Sequence, residues 1–204
     1  MKQMAFDIVL LPEKNFAKRI VGLNNSLIRN YGNKRIVLNE NYCLPHISLL
    51  MGAINSKYLS DVKERLDYLS SHFLPLEFIS TRRTIENLPS KDRILKIVGL
   101  EIERTEQLMN LHKSVVDGIK HLLSDSDITK EMMYNPKEIE SEDTPWMFSY
   151  IKNFMRDSSY NKFNPHITIG DGVLEQKLNL PIKFESKSLV IGHLGNYCTV
   201  GKIL

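Results

Sequence analysis

The stretch CLPHISLL, Cys43 to Leu50, returns in altered form as FNPHITIG, Phe163 to Gly170, about 120 residues later. Both copies place Pro, His, Ile and a hydroxyl residue in a row, with an apolar residue next. In an extended strand, residues two apart share a face. His46 and Ser48 therefore project together, while Ile47 and Leu49 fill the reverse. His166 and Thr168 project in the same way, with Ile167 and Ile169 behind them. A polar face of this kind costs free energy if it is buried unpaired; a cleft holding water or ligand offsets that cost. A third match, His112-Lys113-Ser114, lies in a helical pattern, where residues two apart diverge. It lacks the preceding Pro and is read as a chance match. His72, His121 and His193 are read as ordinary core or surface residues.

Around the first motif the chain alternates. Ala5 to Leu11 is a continuous apolar run, expected as a buried first strand and not as a signal peptide. Phe16, Ile20, Leu23, Leu27 and Tyr31 recur at helical spacing, and Gly32 is the expected stop. Arg35 to Leu38 and Pro45 to Ile54 read as strands. Residues 57 to 73 form an amphipathic helix on Leu59, Val62, Leu66, Leu69 and Phe73. Leu76 to Ile85 and Arg93 to Val98 read as strands joined by the turn-forming cluster ENLPSKD. A second strong helix carries Leu108, Leu111, Val115, Ile119 and Leu122.

The pattern breaks down from Ser124 to Thr144, an acidic and polar run expected to be an insertion or lid loop. A short helix around Trp146, Ile151 and Met155 comes next. Strands are then expected at His166 to Gly170, Ile182 to Glu185, Ser188 to Ile191 and Tyr197 to Leu204. Helices and strands alternate in each half, with one motif strand per half. The expected fold is therefore α/β (α+β), built of two similar lobes within one domain spanning 1–204.

Composition narrows the function classes. The 204 residues hold 27 basic and 24 acidic side chains, a net charge of +3. That balance argues against a long nucleic-acid footprint, which needs a clustered basic stripe. No apolar stretch reaches the length of a membrane span. Two cysteines, Cys43 and Cys198, fit a reduced cytoplasmic protein with free thiols better than a disulfide scaffold. No protein partner is implied.

Two imidazoles can divide labour as general acid and general base near neutral pH, and two hydroxyls can donate to phosphate oxygens. That kit suits phosphodiester chemistry with neither metal nor other cofactor. No carboxylate stands beside either motif on its strand face, and the HExxH, GxxxxGK[ST] and GxSxG patterns are absent. Tyr42, Tyr160 and Phe163 flank the motifs and are candidates for stacking on a base. Lys162, Arg82 and Arg83 are weaker candidates for phosphate contact, with at least one arginine expected on a solvated face.

Paired His-x-Ser/Thr motifs on strands of two similar lobes resemble the 2H phosphoesterase superfamily, which includes the 2′-5′ RNA ligase-like proteins and cyclic phosphodiesterases. The resemblance covers most of the chain, including MAFDIVLLP at the start and KSLVIGHLGNYCTVGKIL at the end. Ser48 departs from the more usual Thr but keeps the hydroxyl; the resemblance does not explain the 124–144 run. The resemblance implies a bilobed fold of pseudo-symmetric lobes, mainly antiparallel sheet with flanking helices, around a central cleft. It implies catalytic His46 and His166, with Ser48 and Thr168 holding the phosphate. The substrate would be a nucleotide or short RNA bearing a 2′,3′-cyclic phosphate or a 2′-5′ linkage. The motifs leave open which histidine is acid and which base; His46 as acid is the preferred assignment. A non-catalytic nucleotide-binding module and an RNA end ligase are the competing readings.

Overall fold

The computed structural model describes residues 2–32, 34–89, 94–139 and 144–204. They form an α+β fold: a seven-stranded antiparallel sheet, not closed into a barrel, with four α-helices among the described residues. The strands are β1 (Gln3–Pro12), β2 (Ile47–Asn55), β3 (Leu76–Pro89), β4 (Ile94–Ile102), β5 (His166–Asp171), β6 (Ile182–Leu194) and β7 (Val200–Ile203). Their order across the sheet is β2-β1-β6-β3-β4-β5, and β7 pairs with β6. The helices are α1 (Lys14–Tyr31), α2 (Leu59–Phe73), α3 (Glu106–Ile119) and α4 (Thr144–Asp157). No helix is long and apolar enough to cross a membrane among these residues.

Local sequence accounts for most elements. The apolar run of β1 is buried on both faces, and α1 and the 3-10 turn Lys130–Met132 pack against it. Helix α1 buries Phe16, Ile20, Leu23 and Leu27, spaced three and four apart, and ends at Gly32 in the left-handed region (φ 67°). Thr105 caps α3 by accepting from the Leu108 amide at 3.3 Å. Phe16 stacks on Phe184 with ring centres 4.0 Å apart, tying α1 to the sheet.

Several expected elements change. Arg35 to Leu38 is not a strand. Buried Asn24 donates to the Ile36 carbonyl (2.9 Å) and accepts from the Leu38 amide (2.9 Å), so this backbone needs no ladder. Ile182–Glu185 and Ser188–Ile191 are one strand, β6. Pro12 pairs with Ser186 and Leu11 with Ser188, so Lys187 is an extra residue that interrupts the alternation without ending the strand. Residues 86–89 of the expected turn continue β3; 90–93 lie outside the described residues. Tyr197 opens no strand but sits in a short 3-10 turn ahead of β7.

The 124–139 run has little regular structure beyond two single 3-10 turns. It is nonetheless tied to the sheet. Ile128, Met133 and Ile139 are buried. Ser124 donates from its amide to the Ala53 carbonyl (2.9 Å), and the Tyr134 amide donates to the Leu194 carbonyl (2.7 Å). Residues 140–143 of the expected lid lie outside the described residues.

The two motif strands occupy opposite edges of the sheet. Helices α3 and α4 pack on β2, α1 packs on β5, and β2 and β5 also touch each other. The two edge ladders share one register. Ser48 pairs with Val9, Leu50 with Ile8 and Met51 with Asp7, which leaves Leu49 as a bulge. Thr168 pairs with Gly99, Gly170 with Val98 and Asp171 with Ile97, which leaves Ile169 as a bulge. A bulge inserts one unpaired residue and reverses the facing of the residues after it. Each bulge stands directly after the hydroxyl residue of its motif.

Candidate active site

One cavity of about 340 Å³ is lined by His46, Ser48, His166 and Thr168 together. Ile36, Leu38, Met51, Ile97, Trp146 and Tyr150 supply much of its apolar wall. The bulge at Leu49 explains how Met51 joins Ser48 on this wall, since regular alternation would set residues three apart on opposite faces.

The two imidazoles are held alike. His46 Nδ1 lies 2.7 Å from the Leu44 carbonyl, and His166 Nδ1 lies 2.9 Å from the Asn164 carbonyl. A carbonyl only accepts, so Nδ1 carries the proton in each ring and Nε2 is left for chemistry. In both motifs the carbonyl belongs to the residue two before the histidine, and the intervening residue is Pro, whose fixed φ stiffens the approach. Burial pulls His46 down to about 4; the Leu44 hydrogen bond opposes this, and the nearby charge of His166 adds to it.

Behind His46 and Ser48 stands a residue that the motif reading missed. Asp7 of β1 is fully buried. Its Oδ2 is hydrogen-bonded to Ser48 Oγ at 2.6 Å and lies 3.6 Å from His46 Nε2. Its Oδ1 has no partner among the described residues. Burial raises the Asp7 carboxyl well above the usual range, and the Ser48 hydrogen bond only partly opposes that. A signal existed: Asp7 is the one charged residue in the apolar run Met4–Leu11. The sequence reading expected no carboxylate beside either motif; Asp7 stands against the first one, brought there by the neighbouring strand.

His112 does not line the cavity, but it is far from incidental. It is fully buried, accepts from the Tyr160 amide at 2.9 Å and stacks flat on Phe163 at 3.8 Å. Its Nδ1 makes no well-formed hydrogen bond among the described residues, although the Leu49 backbone is near enough to favour its charged form; burial, the larger effect, draws His112 down to about 4. Asn24 plays a matching part beneath the second motif by donating to the carbonyl of the bulged Ile169 at 2.8 Å. A buried polar side chain from a helix thus meets each bulge region.

The flanking candidates separate. Phe163 lines the cavity, with one ring face already taken by His112. Tyr160 hydrogen-bonds Asp117 at 2.8 Å, and Tyr42 is half exposed; neither lines the cavity. Lys162 does line it and donates to the Arg156 carbonyl at 3.2 Å. Arg82 pairs with Glu101, and Arg83 donates to the Leu174 carbonyl, both away from the cavity. Cys198 lines the cavity, and both cysteines are free thiols. Among the described residues no three His, Cys, Asp or Glu side chains are grouped to hold a metal ion. No family model matches the chain, and no curated protein matches its sequence.

Proposed function

We propose that the chain is a phosphodiesterase that opens 2′,3′-cyclic phosphates, or cleaves 2′-5′ linkages, of nucleotides or short RNA ends by two-histidine acid–base catalysis. The observation that carries this reading is the convergence of His46, Ser48, His166 and Thr168 on one cavity, with both rings held through Nδ1. The common register of the two edge ladders supports a finer reading of the fold, as two pseudo-symmetric lobes around a central cleft. A volume of about 340 Å³ suits a mononucleotide-sized group better than a long strand. The free thiols suit a cytoplasmic setting.

In ring opening, a water attacks phosphorus and the P–O bond to one ribose oxygen breaks. A histidine takes the proton from water, and its partner gives one to the departing ribose oxygen. His46, held neutral by burial, is the better placed base, and the negative phosphate raises its basicity once bound. His166 then supplies the proton, which reverses the assignment preferred from the motif alone. Thr168 donates to a non-bridging oxygen, and so does Ser48 when its hydroxyl hydrogen is not engaged by Asp7. The test is turnover of 2′,3′-cyclic AMP by purified protein in EDTA. Conversion to a single monophosphate isomer with a bell-shaped pH profile is expected. Tight binding without turnover would favour a non-catalytic nucleotide module instead.

A further inference from the structure

Asp7 is an unusual neighbour for a phosphate site. A buried carboxylate would repel a bound anion, and it would hold the Ser48 hydrogen that the anion needs. Its surroundings offer little to stabilise a charge. One oxygen is hydrogen-bonded only to Ser48, the other to nothing, and no lysine or arginine among the described residues pairs with it. From β6 it is paired with Gly192, which brings no side chain. The titratable groups near it are His46 from the residue before β2, Tyr150 from α4 and Cys198 from the turn before β7. Burial pushes the Tyr150 phenol and the Cys198 thiol up, so both stay protonated and neutral near pH 7. The only one of these that can become a cation is His46, itself held neutral.

The geometry points to Asp7 as a proton-holding positioning residue that switches the anion site. As a neutral acid, Asp7 donates from Oδ2 to Ser48 Oγ, which leaves the Ser48 hydrogen to point at a phosphate oxygen. As a carboxylate, Asp7 takes the Ser48 hydrogen and sets a negative charge behind the site. Anion binding and Asp7 protonation are then linked, and affinity falls as pH rises through the Asp7 ionisation. The second motif has no such switch, because Ile97 occupies the place in β4 that Asp7 holds in β1. This inference rests on the reading of the cavity as a phosphate site.

Sulfate is a suitable probe, because its charge is constant from about pH 5 to 9. Binding can be followed by the fluorescence of Trp146, the single tryptophan, which lines the cavity. Wild-type affinity should fall by up to about tenfold per pH unit from Asp7 linkage above its ionisation, in addition to any loss from the imidazoles. In Asp7→Asn the amide donates permanently to Ser48, so only the imidazole slope should remain and sulfate should still bind at high pH. Infrared difference spectra of wild type against Asp7→Asn at pH 7 should show a protonated carboxyl. Equal pH slopes in wild type and Asp7→Asn, or no protonated carboxyl, would overturn the inference. A protonated carboxyl with no sulfate binding at any pH would instead sink the phosphate-site reading, and the switch with it. If Asp7→Asn does not fold, Ser48→Ala serves: it removes the hydroxyl relay but leaves the Asp7 charge, so the same part of the slope should become shallower without vanishing, and an unchanged slope there overturns the inference.

Discussion

The β1–β2 and β4–β5 ladders carry the two halves of the site on one plan and differ in what stands behind the hydroxyl. Both have an imidazole tethered to the carbonyl two residues back, a hydroxyl two residues on and a bulge directly after it. Behind Ser48 the plan places Asp7, a buried acid; behind Thr168 it places Ile97, an apolar wall of the cavity. Opposite Ser48 stands Val9; opposite Thr168 stands Gly99. A Cβ on Gly99 would lie 2.9 Å from the Ile167 carbonyl oxygen and 3.3 Å from Thr84 Oγ1. The first ladder therefore has a buried acid behind its hydroxyl, and the second has a close backbone approach. Two copies of a motif need not be two copies of a role.

The largest expected effects test whether both halves act in one reaction. His46→Ala and His166→Ala should each lower turnover of 2′,3′-cyclic AMP by roughly 100- to 10,000-fold. The double variant should lose less than the product of the two, since groups acting as a unit are not additive. Steady-state kinetics check this; unchanged turnover in either single variant would reduce the motif to structure.

Smaller effects should separate the ladders. Gly99→Ala should destabilise the fold by about 1–3 kcal/mol in urea unfolding, because the β5 backbone must move away from the new methyl. A variant as stable as wild type would mean that β4 and β5 do not need their close approach. Asn24→Ala should cost at least as much, since it strands the Ile36 and Ile169 carbonyls and the Leu38 amide together. His112→Ala, a change outside the paired motif, should destabilise too, because it opens a hole against Phe163 and leaves the Tyr160 amide unpaired.

Ser48→Ala and Thr168→Ala sharpen the comparison further. Both should lower turnover, each less than the loss of a histidine. Only Ser48→Ala should also lower the unfolding free energy by about 1–3 kcal/mol, because it leaves the Asp7 carboxyl with no hydrogen bond. Equal stabilities for the two variants would mean that Asp7 makes no difference between the halves.

The smallest effects are pH slopes. His46 and His112, both drawn down to about 4, bind fewer protons folded than unfolded. Their contribution to stability is complete above the unfolded histidine value and is lost as pH falls from about 6.5 to 4. Asp7, raised by burial, acts oppositely: the folded state holds the extra proton, and stability is lost as pH rises from its unfolded value through its folded one. Asp7→Asn should therefore gain stability relative to wild type as pH rises, measured by urea midpoints at about pH 5 and pH 8. A constant difference between the two proteins would show that Asp7 does not ionise on unfolding in this range.

Much of this is legible in the chain itself. Periodicity places the four helices and most strands, because a half-buried element must repeat its apolar residues at its own pitch. The strand alternation in PHIS and PHIT places each imidazole beside its hydroxyl, since that relation is local. What only the tertiary structure decides is non-local. Which strands form the two edges and meet around one cavity depends on pairings between residues far apart in sequence. The bulges at Leu49 and Ile169 add a residue without any composition signal. Arg35 to Leu38 has the composition of a strand and is not one, because one buried amide, Asn24, meets its backbone needs from another element. Asp7 is visible as a lone charge in an apolar run, but its partner is not, because β1 meets Ser48 across a ladder of 41 residues' separation. The order of residues determines what a side chain can do where its neighbours are local; the fold decides which distant group shares its proton.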